Sequence, residues 1–225
     1  MRAAAGASTA RAGERAPWVA STASLATIPA VPHRRHTLAV VAALLPIGWA
    51  GCTSTVTPPS QVADPVTVFL LGEAMHTGIV LPPLSPTDEF VEFGFGDWSW
   101  FALGNDAWYH AFATVLWPTQ GTLGRRTFGA RTAAELRARV TWATLSAVEV
   151  SGAKAAALRR RLEKEHEDLR KEAVRRPEFG WLFVPYDCSY WFGVTCADVA
   201  AAWFRELDCT VGWVPIRGGL AVADP

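Results

Sequence analysis

The sequence predicts an α+β domain, and three observations carry that prediction. Early in the chain lie short β-branched, apolar runs bounded by Pro and Gly. Later come two stretches with helical spacing of their apolar residues, each opening on a residue that can cap a helix. The 225 residues are 50% hydrophobic, enough to fill one sizeable core.

The elements follow in order. Val66–Leu71 reads as a first strand, and Glu73–Leu81, centred on His76-Thr-Gly-Ile-Val80, as a second that Pro82-Pro83 stops. Glu89–Phe95 alternates as a third strand, which Gly94, Gly96 and Asp97 are expected to break. Ser99–Trp117 is aromatic and reads as irregular or helical. Thr132-Ala-Ala-Glu135 is a capping-box signature for a short helix. Ala147–Val150 reads as a strand. Ser151 is then expected to cap a long helix reaching about Arg176, with Ala155, Leu158, Leu162, Leu169 and Ala173 on its apolar side. A last helix runs from Cys196 to about Leu207, and Trp213–Ile216 is expected to add a closing strand.

The N-terminus reads as an address. His33-Arg34-Arg35-His36 precedes an apolar run from Leu38 to Trp49, followed by Ala50-Gly51-Cys52. A basic region, a short apolar region and small residues before a cleavage point make a secretory signal. The run is shorter than the ~20 residues of a spanning helix. Residues 1–51 are therefore read as extension and signal, 52–65 as a polar, Pro-containing tether, and 66–225 as the folded domain. Residues 1–30 lack apolar periodicity, so translation is expected to start at Val31 from an alternative codon.

Charge is segregated along a chain with no formal net charge. From Val56 to Gly124 there is no Lys or Arg, whereas residues 125–176 hold fourteen basic side chains. Beyond Cys52 the balance is 16 basic to 20 acidic. A mildly acidic body with one basic helical arm offers little to nucleic acid, and export would remove it from that partner. Eleven Trp and eleven Phe exclude disorder for most of the chain.

Two places concentrate the chemistry. Thr195-Cys196-Ala197-Asp198 fits a capping box, which makes Cys196 the first residue of a helix. The positive end of the helix dipole stabilises a thiolate, the nucleophilic form. The other reading of Cys196 is a buried thiol or a disulfide partner. His76 lies mid-strand with Gly78 facing the same way, as a satisfied core residue or as a base. Glu92 shares a face with Phe90 and Gly94. If the two strands are neighbours, Glu92 can orient the imidazole towards a thiol, the nucleophile–base–orienter arrangement of cysteine hydrolases; otherwise it is a surface acid. Asp97 is the alternative orienter.

Ala-Gly-Cys52 after an apolar run resembles the lipobox of bacterial lipoproteins, in which that Cys is lipidated. His76-Thr-Gly-Ile-Val on an early strand, with Cys196 opening a late helix, resembles the circularly permuted papain-like fold of NlpC-type hydrolases and lecithin–retinol acyltransferase-like proteins. More closely, His76-Thr-Gly-Ile-Val-Leu-Pro82, Val91-Glu-Phe-Gly-Phe-Gly-Asp97 and Thr195-Cys196 before Trp203 resemble an uncharacterised family of bacterial proteins, some of them lipoproteins, over roughly residues 66–222. The resemblance implies an antiparallel sheet packed against helices. It also implies a catalytic Cys196, His76 and Glu92, no metal or organic cofactor, and an envelope substrate such as a peptidoglycan peptide or an acyl lipid. The competing expectation is an envelope protein of the same fold that only binds.

Asp187-Cys188-Ser189 mimics the nucleophile motif of unpermuted NlpC-type peptidases, but no His follows it and Gly193 would cut its helix short. Cys188 is open to a disulfide with Cys209 instead. His166 falls on the apolar stripe of the long helix and reads as structural. His110 reads as packing. Trp98, Trp100, Trp108 and Tyr109 are expected either to pack or to stack on a sugar or acyl group.

Overall fold

The computed structural model describes residues 53–74, 76–105, 117–214 and 217–223. The readings placed on residues 1–52, including the signal, Val31 and Cys52, and on Trp108, Tyr109 and His110 lie outside the described residues. The fold is mixed α+β with a mostly antiparallel sheet and a few helices, as expected. No described helix is long and apolar enough to cross a membrane.

Among the described residues, ten strands form two sheets. They are β1 Thr53–Thr57, β2 Pro65–Glu73, β3 His76–Leu81, β4 Val91–Asp97, β5 Thr119–Thr127, β6 Thr144–Ser151, β7 Val174–Arg176, β8 Trp181–Tyr190, β9 Thr210–Val211 and β10 Gly219–Val222. The seven-stranded sheet has the order β6-β2-β3-β4-β5-β8-β7, and every neighbouring pair in it is antiparallel. A small sheet, β10-β1-β9, combines one parallel and one antiparallel pair. The α-helices among the described residues are α1 Ala133–Arg139, α2 Gly152–Asp168 and α3 Cys196–Glu206.

Strand alternation sorts side chains to the two faces of the large sheet. Val68, Leu70, Ile79, Leu81, Phe93 and Phe95 face α2 and α3, where Leu158, Leu162, Trp203 and Phe204 complete the main core. The opposite face carries Phe69, Leu71 and Val80, covered by Leu136 and Val140 at α1. Further along that face a π-turn, Trp98–Ala102, covers Trp181 and Phe183.

Several boundaries differ from expectation. β4 runs unbroken through Gly94 and Gly96 to Asp97, because each glycine has a large side chain from elsewhere lying against its backbone. The long helix ends at Asp168. A 3-10 turn, Arg170–Glu172, and β7 follow, because residues 174–176 pair with β8. Ser151 closes β6 and makes no side-chain cap bond. Glu73 belongs to β2, opposite His76, and the chain reverses through Ala74 in the left-handed region at φ 39°. Residues 213–214 are irregular; the late strands are β9 and β10, on either side of them. The expected tether begins instead with β1, the central strand of the small sheet. β5 and β8 carry too many Gly, polar or aromatic residues to read as strands from alternation.

Candidate active site

The site is built where glycine removes side chains from the sheet. Gly78, Gly94 and Gly124 are directly opposite one another across β3, β4 and β5. Together they leave a trench one residue wide across three strands, and larger side chains lie in it. A Cβ on Gly78 would sit 2.5 Å from Glu92 Oε1; one on Gly94, 2.6 Å from the His76 ring; one on Gly124, 2.6 Å from Phe183. Those distances are too short for any real Cβ, so each glycine is required for its neighbour's position.

His76 opens β3, and its ring rests over Gly94, edge-on to Trp181 at 5.7 Å and tilted against Phe101 at 5.9 Å. The β3–β4 ladder begins only at Gly78↔Gly94, so His76 and Thr77 lie beyond it. The Thr77 N–H, with no β4 partner in that ladder, bonds the Cys196 sulfur instead. This opening is where the N-terminus of α3, packed on one face of the sheet, meets an imidazole that belongs to the other.

The start of α3 is held as the sequence predicts. The Thr195 hydroxyl accepts from the Asp198 N–H, and the Asp198 carboxylate accepts from the Thr195 N–H at 3.0 Å, a complete capping box. Arg217 is buried behind it, bonding Asp198 Oδ1 at 2.5 Å, Ser54 Oγ at 2.9 Å and the Gly212 carbonyl at 3.1 Å. The start of α3 is thereby fixed to β1.

Cys196, His76 and Glu92 come together. His76 hydrogen-bonds the Cys196 thiol, and its Nε2 lies 3.4 Å from Glu92 Oε1, longer than an ordinary N–H···O bond. Burial by itself would lower the His76 pKa. The Cys196 hydrogen bond, the Glu92 contact and the charges of both outweigh burial and raise it to about 9. Burial pushes the Cys196 thiol up, but the His76 hydrogen bond and charge, with the N–H groups of Thr77 and Ala197, bring it below the ordinary thiol range. The pair thus favours thiolate and imidazolium.

The other two described thiols go the opposite way. Cys188 lies within β8, away from any helix start, and burial and Asp187 raise its pKa. Cys209 is raised to about 11 by burial and Asp208. No disulfide joins Cys188 to Cys209. Asp97 is fully engaged elsewhere: Oδ1 accepts from the Trp100 N–H at 2.6 Å and Oδ2 from the Thr119 hydroxyl at 2.5 Å, which caps the π-turn. It does not orient His76. His166 is buried against the Leu182 carbonyl at 3.0 Å, a structural position as expected. Of the aromatic residues singled out, Trp98 opens the π-turn and packs against the Ala102, Trp181 and Phe183 cluster, while Trp100 lines a cavity beside His76.

Sequence reasoning missed Arg126. It stands directly opposite Glu92 in the β4–β5 register. Its Nε donates to Glu92 Oε2 at 2.8 Å, and a second nitrogen lies 2.6 Å from the same oxygen. The guanidinium is held between Trp181 at 4.3 Å and Trp142 at 4.5 Å. Glu92 is fully buried, and Arg126 is the cation that keeps a charge there tolerable. The available signal was Arg125-Arg126 ending the Thr-Leu-Gly run of β5, the first cations after a long stretch without any.

Compared with family models, curated proteins and solved structures, the chain matches none.

Proposed function

We propose that this chain is a cysteine-dependent hydrolase or acyltransferase acting on amide or ester bonds, with a permuted papain-like arrangement of its elements. The reading includes lipidation at Cys52 and an extracytoplasmic place in the cell envelope, with a peptidoglycan peptide or an acyl lipid as substrate. The observation that carries the chemistry is Cys196 at the start of α3, hydrogen-bonded to His76, which Glu92 and Arg126 back in turn.

In this mechanism the Cys196 thiolate attacks the substrate carbonyl carbon. An S–C bond forms and the carbonyl oxygen takes the charge, stabilised by N–H groups of the first turn of α3. As the carbonyl reforms, the C–N or C–O bond breaks and the leaving group takes the proton from the His76 imidazolium. The neutral imidazole then accepts a proton from water, which attacks the thioester and releases the acid and the thiolate. An alcohol or amine in place of water makes the same cycle a transfer. Glu92 keeps the ring oriented and favours its charged form.

Alkylation by iodoacetamide across pH, resolved by peptide mass spectrometry, tests this. An ordinary thiol titrates near ~8.5 and an activated one at ~3.5–7.5. Cys196 is expected to react fast at neutral pH while Cys188 and Cys209 react only at higher pH, and His76→Ala should slow Cys196 selectively. If Cys196 titrates like the other two irrespective of His76, the chain is a binder.

A further inference from the structure

Next to His76 lies a cavity of about 330 Å³. Its volume is at the lower end of small-molecule sites. Trp100, Phe101, Phe179, Trp181 and Phe183 make its walls, and Gly94 and Gly96 belong to its lining. Trp181 and Phe183 stack at 5.4 Å and 18°.

The two arginines that line it are already paired, and the third cation, the His76 imidazolium, stands against Glu92 and Cys196. Arg126 is paired to Glu92 at 2.6 Å, with Glu73 3.9 Å away. Arg176 is paired to Glu178 at 2.5 Å and also bonds the Phe101 carbonyl. A substrate carboxylate or ammonium entering this space would lose its water and find an already balanced ion pair on either side. An uncharged apolar group loses nothing of the kind and gains the burial of its surface.

We infer that the cavity between His76 and Phe179 is an acyl-binding pocket, which selects an uncharged, apolar acyl group and excludes charged peptide side chains. This rests on the hydrolase or transferase reading and decides between its two substrate classes. The carbonyl end of the acyl group lies toward His76 and its tail among the aromatic rings.

Calorimetric titration of the full chain with acetamide, butanamide and octanamide, and with the octanamide analogue bearing a terminal carboxylate, tests the pocket. Each is titrated against the Cys196→Ala full chain, which lacks the attacking sulfur, so that binding is read without turnover. Affinity should rise by up to about fourfold per added methylene, the factor that corresponds to burying one CH₂. The carboxylate analogue should bind at least tenfold more weakly than octanamide. Phe179→Asp changes a residue that is 59% exposed, so folding is not at stake, and should erase the chain-length dependence. Equal affinities along the series, or a carboxylate analogue bound as tightly as octanamide, overturn the inference. Because binding needs no thiolate, such a failure is separate from a failure of Cys196 to alkylate.

Discussion

Glu92 and Arg126 form a buried ion pair whose partners depend on each other. Removing one partner of such a pair costs about 3–5 kcal/mol, whereas replacing both by uncharged groups of similar size is close to neutral. Arg126→Met should therefore lower the urea midpoint strongly at unchanged m-value, and adding Glu92→Gln should restore much of the loss. The same Glu92→Gln change removes an interaction that raises His76. The imidazole then loses its proton at lower pH than about 9, and the thiolate loses part of its counter-charge. The sign follows: the alkylation profile of Cys196 should move to higher pH in Glu92→Gln, while those of Cys188 and Cys209 stay in place.

β4 shows how an element can be legible in kind and not in reason. Its apolar alternation is readable, but its two glycines read as breaks, because a sequence does not show what lies over them. In the sheet they are openings that seat His76 and Phe101. Gly94→Ala places a methyl carbon 2.6 Å from the His76 ring and 3.2 Å from Trp181, so the imidazole must move. The expected result is a marked slowing of Cys196 alkylation at neutral pH. Gly72→Ala on β2 has nothing within 4 Å and should leave the rate unchanged, which makes it the control. α3 is the opposite case. Its capping box lies within four consecutive residues, so its start was legible to the residue, as was the placement of Cys196 on it.

Across the whole molecule, residues far apart in sequence make the site. β1 buries Ser54 and Val56, and through Ser54 it meets Arg217, which holds the cap of α3. A chain truncated before Pro58 should thus lose at least about 2 kcal/mol, the burial of one valine side chain, together with the ladder pairs of β1. Thermal unfolding measures the loss, and a drop in Cys196 reactivity should accompany it. A detachable tether would give neither result.

Local spacing alone carried the α+β class, the first two strands of the large sheet and the start of α3, and it marked Cys196, His76 and Glu92 as candidates. Each depends on spacing within a few residues: alternation in a strand, a capping box of four, a shared face two positions apart. Long-range packing made β3 and β4 neighbours, brought Arg126 on β5 opposite Glu92, and stopped the β3–β4 ladder short of His76, where Cys196 can reach it. The β1 strand and the aromatic cavity belong to the same group. All of these are pairings between segments tens of residues apart. They are fixed by which surfaces can be buried together, and no local pattern along the chain contains that information.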